Sequence, residues 1–239
     1  MKLFAICCAL LTFACVAVTA VAQVTTSQYD KLRTSATLSE TILIPENVNV
    51  KQFGRLGAFK VDGAVYAQPL LIPSLEIPGK GTHDVLFVAT EHDSVYAFNA
   101  DRPNDPPLWH VSALDKKRGD TTVFAQEVQC PFIQPEVGIT STPVIDLKTG
   151  TLYVLPRTMV SHIFADNEYF QHLHALAITT GAEKLGGPKL ITASVQGTKA
   201  ASGRATPGLV PTQTAISTCR LATGLSTHPL EVRTTATRC

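Results

Sequence analysis

The sequence lacks a surplus of charge of either sign and carries no sustained helical pattern. With 20 Lys and Arg against 19 Asp and Glu, its formal net charge is +1. A near-neutral chain lacks the electrostatic footprint expected of a protein that binds a nucleic-acid backbone. From Gln23 onwards no long stretch repeats apolar residues every 3.6 positions, which argues against amphipathic helices. No cysteine pair has the spacing of a zinc site. We therefore expect neither a nucleic-acid partner nor a zinc module.

The first residues follow the order of a secretory signal peptide. Lys2 precedes an apolar run over residues 3–18, and the tripeptide Ala-Val-Ala at 20–22 supplies a small-residue cleavage pattern before Gln23. The run is too short to span a membrane comfortably, and no stop-transfer charges follow it. The pattern predicts a signal peptide over residues 1–22, a secreted or periplasmic protein, and no transmembrane anchor after cleavage.

Few cysteines remain after the predicted cleavage site. They are Cys130, Cys219 and Cys239. An odd number outside the cytosol leaves at least one thiol unpaired within the chain.

Short β-rich runs broken by Gly, Pro, Asn and Asp follow the predicted signal peptide. Residues 91–94 join two runs at hairpin length, and residues 146–150 form another polar turn that ends in glycine. Runs of about five residues at this spacing predict antiparallel sheet. The clearest runs are 64–72, 85–90, 95–99, 143–145, 152–155 and 173–178.

The runs recur in the same order, with loops of different length between them. Two four-stranded units that repeat in this way are typical of β-propeller blades. The alignment places residues 65–71 over 140–145, 85–89 over 151–155, 95–100 over 173–178, and 107–109 near 183–185.

These units resemble the repeats of the PQQ-like (quinoprotein-type) β-propeller family. The matching segments are TPVI (142–145), LYV (152–154), LHAL (173–176) and TGAE (180–183) in the second unit, and VYAFNAD (95–101) with Trp109 in the first. Residues 28–198 resemble the start of exported bacterial proteins with such repeats. The resemblance implies an all-β fold, namely a partial β-propeller of about two four-stranded antiparallel blades.

Several features depart from the family pattern. Leu185 stands where the second blade would have its tryptophan, Pro156 is expected to stop a strand early, and residues 157–170 are expected to form a long inserted loop. A propeller needs about four to eight blades to close its ring. Two blades leave open edges, which predicts self-association or a protein partner.

The predicted organisation has four parts: a signal peptide (1–22), an N-terminal segment with a possible ring-closing strand (23–62), two PQQ-like blades (63–197) and a tail (198–239). The tail is rich in threonine, and Glu231 is its only acidic residue. One interpretation is a Thr/Ser/Pro-rich exported linker or stalk. The other is a disordered stretch read in a shifted frame, which would replace the missing blades.

Four residues are predicted to lie near the mouth of a propeller channel and to contact a ligand. Glu136 and Thr140 lead into the opening strand of the second unit, and Gly138 would let the backbone approach a ligand closely. Gln68 precedes a proline in the first unit, as Thr142 does in the second. The alternative is that Glu136 is a solvated loop residue.

A second candidate set is Glu91, His92 and Asp93, because metals bind carboxylates and imidazoles. The alternative is a plain turn, since consecutive residues in a turn point apart. His172 and His174 share one strand face by the period of two. A packed or surface pair explains these two histidines better than a metal site.

The resemblance also bears on cofactors. Quinoprotein dehydrogenases hold the quinone between a tryptophan and adjacent bonded cysteines, with Ca²⁺ on carboxylate and amide groups. After residue 22 this chain has no adjacent cysteines, so PQQ and Ca²⁺ are implied by resemblance alone and no cofactor is demonstrable. The leading hypothesis is an exported, non-enzymatic binding or interaction scaffold. The alternatives are an N-terminal fragment of a PQQ-dependent dehydrogenase and a surface protein with a Thr-rich stalk.

Overall fold

The computed structural model describes residues 23–37, 40, 42–128 and 132–191, and this part of the chain is all-β. The predicted signal peptide, the predicted tail and all three downstream cysteines lie outside these ranges. No helix in them is long and apolar enough to cross a membrane. The strands are β1 (Leu70–Ile77), β2 (Gly81–Ala89), β3 (Ser94–Asn99), β4 (Trp109–Ser112), β5 (Thr121–Phe124), β6 (Glu136–Val137), β7 (Val144–Asp146), β8 (Thr151–Val154), β9 (Arg157–Val160), β10 (Glu168–Ala177) and β11 (Lys189–Leu190).

The first sheet is a four-stranded antiparallel meander in the order β1-β2-β3-β4. Its strands form because apolar and β-branched residues dominate them and turn residues separate them. The β2–β3 connection is tight: the Thr90 amide donates to the Ser94 carbonyl at 3.0 Å. Asp93 takes a positive φ of 54° in this turn, a conformation that Asp tolerates better than most residues. The predicted hairpin at residues 91–94 is therefore confirmed.

The second sheet has seven strands, not the four expected. Its centre repeats the first sheet as β7-β8-β10, and Glu183 forms a bridge to Leu176 on the far side of β10. Strands β5, β6 and β9 extend this centre, and β11 pairs with β10. Strands β5, β6 and β9 come from two stretches without a strand prediction, the connection after β4 and the insertion after Pro156. Strand β11 follows the closing segment. Neither sheet closes on itself within the described residues.

Strand β8 ends just before Pro156, as expected, but the expectation that residues 157–170 form a long loop is wrong. Strands β8 and β9 both pair with β10, and the register is the same on the two sides of the proline. His174 pairs with Val154 before the break, and Gln171 pairs with Arg157 after it. A proline removes a single backbone donor, so one interruption leaves the remaining ladder in register.

The two sheets share one hydrogen-bond register, as the sequence alignment of the repeats requires. The closing segments also match: the Leu108 amide donates to Ala97 O, and the Lys184 amide donates to Ala175 O, both at 2.7 Å. In the first sheet Phe87 is flanked by Leu70 and Ala97, and in the second Tyr153 is flanked by Val144 and Ala175.

The sheets pack in a head-to-tail manner, each using a different face. The main core joins Val85, Phe87, Ala89, Val95 and Ala97 of the first sheet to Ile145, Leu152, Val154, Leu176 and Ile178 of the second. The alignment makes Leu152, Val154 and Leu176 equivalent to Leu86, Val88 and Phe98, which lie on the opposite face of the first sheet. The first sheet therefore contacts the second through the face that carries Phe87. The second sheet uses the opposite face, which is equivalent to the face that carries Phe98.

Trp109 ties the two sheets together. It is 9% exposed, lies 5.8 Å from the Phe87 ring, and donates from Nε1 to the Ile178 carbonyl at 3.0 Å. A Cβ on Gly181 would lie 2.8 Å from the indole, and Gly181 also has a positive φ of 72°. Glycine at this turn therefore allows the close approach of the indole as well as the backbone conformation.

The N-terminal segment runs along the opening strands. Val24 and Leu71 exchange both backbone hydrogen bonds, and the Ile145 amide donates to the Thr25 carbonyl at 2.8 Å. The prediction that residues 64–72 form one strand is wrong before Leu70. The Ala64 carbonyl instead accepts from the Glu91 amide at 2.9 Å, so this backbone is used to hold the β2–β3 turn.

Candidate functional site

The two predicted residue sets meet in space. Glu91, in the β2–β3 turn, accepts hydrogen bonds at Oε2 from the Gly138 amide at 2.7 Å and from Thr140 Oγ1 at 2.9 Å. The Ile139 amide donates to the Thr90 carbonyl at 3.2 Å. The turn of the first sheet is thus fastened to the segment that leads into β7. The sequence predicts the turn residues 91–93 and the segment 136–140 as separate candidate sites. The fold brings them together in one polar cluster.

A histidine–carboxylate pair lies at the outer side of this cluster. His92 Nδ1 lies 3.0 and 3.1 Å from the two oxygens of Glu136, and Thr122 Oγ1 donates to Glu136 Oε2 at 2.6 Å. The His92 side chain is 44% exposed and that of Glu136 is 16% exposed. Glu136 is therefore a half-buried, hydrogen-bonded group and not a solvated loop residue. No sequence signal pointed to Thr122, because β5 lies in a stretch without a strand prediction.

The close packing of residue 138 against the β2–β3 turn requires a glycine. A Cβ at this position would lie 2.3 Å from the Glu91 carbonyl oxygen and 2.6 Å from Asp93 Oδ1. Real Cβ atoms do not come this close to backbone atoms, so a side chain here would push the turn and the segment apart. The close backbone approach predicted for Gly138 exists, and its partner in the structure is the β2–β3 turn.

Burial sets the protonation of the two acidic residues in the turn. Burial raises the pKa of Asp93 well above its ordinary value, and the negative charge of Glu91 raises it further. Burial also raises the pKa of Glu91, although hydrogen bonds from the Gly138 amide and the Thr140 hydroxyl lower it in part. Two adjacent buried carboxyls of this kind favour sharing protons over carrying two charges.

The space beside these acids is small and polar. A cavity of about 10 Å³ is lined by residues that include Gly138, Thr140, Ser141 and Gln171. Within the described ranges, Ser141 Oγ, Gln171 Nε2 and Glu91 Oε1 are buried without a hydrogen-bond partner. This volume is about that of one water-sized probe, and a water molecule there would lie beside Ser141 and Gln171, which line the cavity. The cluster has no room for an organic ligand at this point.

Metal binding by the turn remains a prediction. Among the described residues, no three His, Cys, Asp or Glu side chains converge in a way that could hold a metal ion. His92 is directed to Glu136, whereas Glu91 is directed to Gly138 and Thr140.

Gln68 lies apart from this cluster. Its side-chain Oε1 accepts from the Gln28 amide at 2.8 Å, and its own amide donates to Thr142 Oγ1 at 2.9 Å. The two residues that precede equivalent prolines in the repeats are therefore in direct contact. Gln68 holds the N-terminal segment in place, and its predicted role in ligand binding stays a prediction.

His172 and His174 share one strand face, as the sequence predicts, and they line a larger cleft between the two sheets. The rings are 6.4 Å apart, and His174 Nδ1 is hydrogen-bonded to Glu183. Burial lowers the pKa of His172, and the positive charge of Arg118 lowers it further. Nothing in the sequence places Arg118 beside these histidines, because it lies far from them along the chain. Glu183 belongs to the closing segment, which the repeat alignment places next to residues 173–178.

Comparison of the chain with family models, with curated proteins and with solved structures gives no match.

Proposed function

We propose that the two sheets are consecutive blades of an exported β-propeller and that the protein is a non-enzymatic binding scaffold. The head-to-tail packing of two sheets with the same register carries this proposal. Such packing is heterologous, and a heterologous contact repeated around an axis generates a ring. The signal-peptide pattern in residues 1–22 supports export.

The proposal specifies where a further blade would pack. By the repeat alignment, Val144, Tyr153, Leu155 and Leu173 of the second sheet correspond to the face with which the first sheet contacts the second. These four residues form a separate apolar cluster with Ile191. At the other end, Phe59 and Val61 cover the outer face of the first sheet. The N-terminal segment thus stands where a preceding blade would be.

A quinone cofactor does not fit the polar cluster around Glu91 and Glu136. The cavity beside the buried carboxyls measures about 10 Å³, which is far too small for a fused-ring quinone. At the predicted ligand residues, this small volume supports a scaffold over a dehydrogenase.

Sedimentation velocity tests the blade arrangement. We expect the chain to self-associate as its concentration rises, because the face that contains Leu173 would accept another sheet. Leu173→Lys places a charge on this face and should weaken association about tenfold, since a charge buried without a partner is costly. Ile163→Lys, at a residue that is 90% exposed in the loop after β9, is the matched control. Equal association of the two variants, or a monomer at every concentration, would contradict the blade proposal.

Dye-linked oxidation tests the enzymatic alternative. The purified chain is mixed with PQQ and Ca²⁺, and alcohols and sugars are supplied as substrates. We expect no quinone absorbance change and no dye reduction above the protein-free rate. Turnover that depends on both additions would replace the scaffold proposal with a dehydrogenase.

A further inference from the structure

A cleft lies between the two sheets, away from the buried carboxyls. Its volume is about 360 Å³, within the range of small-molecule sites. Val95 and Val111 of the first sheet and Val154 and Leu176 of the second form its apolar walls. These walls continue the main core, so a ligand there would be held between two rigid sheets.

Arg118, at the rim of the cleft, already forms an ion pair with Asp120. Arg118 donates from Nε to Asp120 Oδ1 at 2.6 Å, and its NH2 group contacts the second oxygen of the same carboxylate. The Asp120 side chain is fully buried. The Arg118 guanidinium also lies 4.7 Å from the centre of the Phe170 ring. A bidentate pair with a buried carboxylate leaves this guanidinium little capacity to attract an anion.

The other polar groups of the cleft favour positive charge in a ligand. Asp115 accepts at Oδ1 from the backbone amides of Lys117 and Arg118, which does not neutralise its charge. Glu183, which is hydrogen-bonded to His174, adds a second carboxylate. His172 favours its neutral form, because burial and the charge of Arg118 lower its pKa. It can therefore present a ring nitrogen as an acceptor.

We propose that this cleft binds a small organic ammonium ion, with the apolar body of the ligand between the sheets and its ammonium group at Asp115 and Glu183. An organic anion of the same size as this ammonium ion should bind poorly, because Arg118 is already paired with Asp120 and the two carboxylates would repel the anion. A neutral isostere would keep the apolar contacts but lose the charge-assisted hydrogen bonds. The proposal depends only on the contact between the two described sheets and holds whether or not further blades complete a ring.

Fluorescence of the single tryptophan reports binding directly. Trp109 contacts Gly181, which lines the cleft. The full chain is titrated with benzylammonium, benzyl alcohol and benzoate at neutral pH. We expect a saturable change with benzylammonium, at least tenfold weaker binding of benzyl alcohol, and no binding of benzoate. Tighter binding of benzoate, or no saturable response to benzylammonium, overturns the proposal.

Two variants locate the binding in the cleft. Ala113 lines it, and Ala113→Phe should fill it and abolish benzylammonium binding. Glu183→Gln keeps the shape of the side chain and should weaken binding about tenfold. Glu76→Gln removes an exposed carboxylate from β1, outside the cleft, and should leave binding unchanged. Each variant is first shown to melt as the wild type does. Unchanged binding in Glu183→Gln, or an equal loss in Glu76→Gln, overturns the assignment even if Ala113→Phe fails to fold.

Discussion

The two sheets share a register but differ at two equivalent positions. Between its second and third strands the first sheet has the tight turn that begins at Glu91, whereas the second extends its hairpin through β9 and the first half of β10. At the closing strand the first sheet has Trp109, which the second sheet covers, and the second has Leu185, which is 62% exposed. The two sheets thus share the pairing of their strands. They differ at the aligned closing position, where the tryptophan is covered by another sheet and the leucine is not.

The largest expected effect tests this difference at the closing strands. Trp109→Ala removes a buried indole and its hydrogen bond to Ile178, and should lower the free energy of unfolding by about 3–5 kcal/mol. Leu185→Ala, at the aligned position, should change it by less than about 0.5 kcal/mol, because that side chain is mainly solvated. Urea denaturation followed by circular dichroism measures both. Similar losses in the two variants would show that the sheets are covered alike.

A smaller effect isolates the glycine beneath the indole. Gly181→Ala combines a positive φ with a Cβ 2.8 Å from Trp109, and should cost about 2 kcal/mol. Gly186→Ala has a comparable φ of 80° and open space around the added Cβ. It should cost about 1 kcal/mol, from the backbone alone. If the two variants unfold at the same urea concentration, the contact with the indole contributes nothing.

The smallest effect concerns the pH dependence that the tight turn creates. Because the pKa of Asp93 is raised in the folded state, the unfolded chain loses this proton first as the pH rises above 3.8. The folded state then binds more protons, so stability falls with rising pH until the folded carboxyl also ionises. Asp93→Asn has no such proton and should remove this decline.

Thermal melts between pH 4 and pH 8 measure this difference. Asp105→Asn is the control, because Asp105 is exposed and pairs with Arg102 at the surface. It should reproduce the wild-type profile. A wild-type protein that becomes more stable over this range, with Asp93→Asn parallel to it, would contradict the assignment.

Much of the first sheet could be predicted from sequence, because alternating apolar residues and turn residues act locally. The hairpin over residues 91–94 and the order of the strands are confirmed. The strand predicted from residue 64 was wrong, since the Ala64 carbonyl is used by the Glu91 amide. The insertion after Pro156 was also misjudged. Its strands are stabilised by β5, a partner from elsewhere in the chain.

The candidate site could be predicted as a set of residues but not as an arrangement. Glu91 and Glu136 were each singled out for their chemistry. Gly138 was singled out as well, but its partner Glu91 was not foreseen, and Thr122 becomes relevant only through its contact with Glu136. The cleft between the sheets has the same origin: His172 and His174 were noted as a pair, whereas Arg118 reaches them from the connection after β4.

The sequence by itself determined the all-β class, the two repeated units and the register that they share. These properties depend on the period-two alternation of side chains and on turn residues, which act over a few positions. Only the tertiary structure decided which faces meet, which carboxyls are buried, and where a cleft remains between the sheets. Those properties depend on surfaces removed from water when distant segments pack, and no local pattern contains that information.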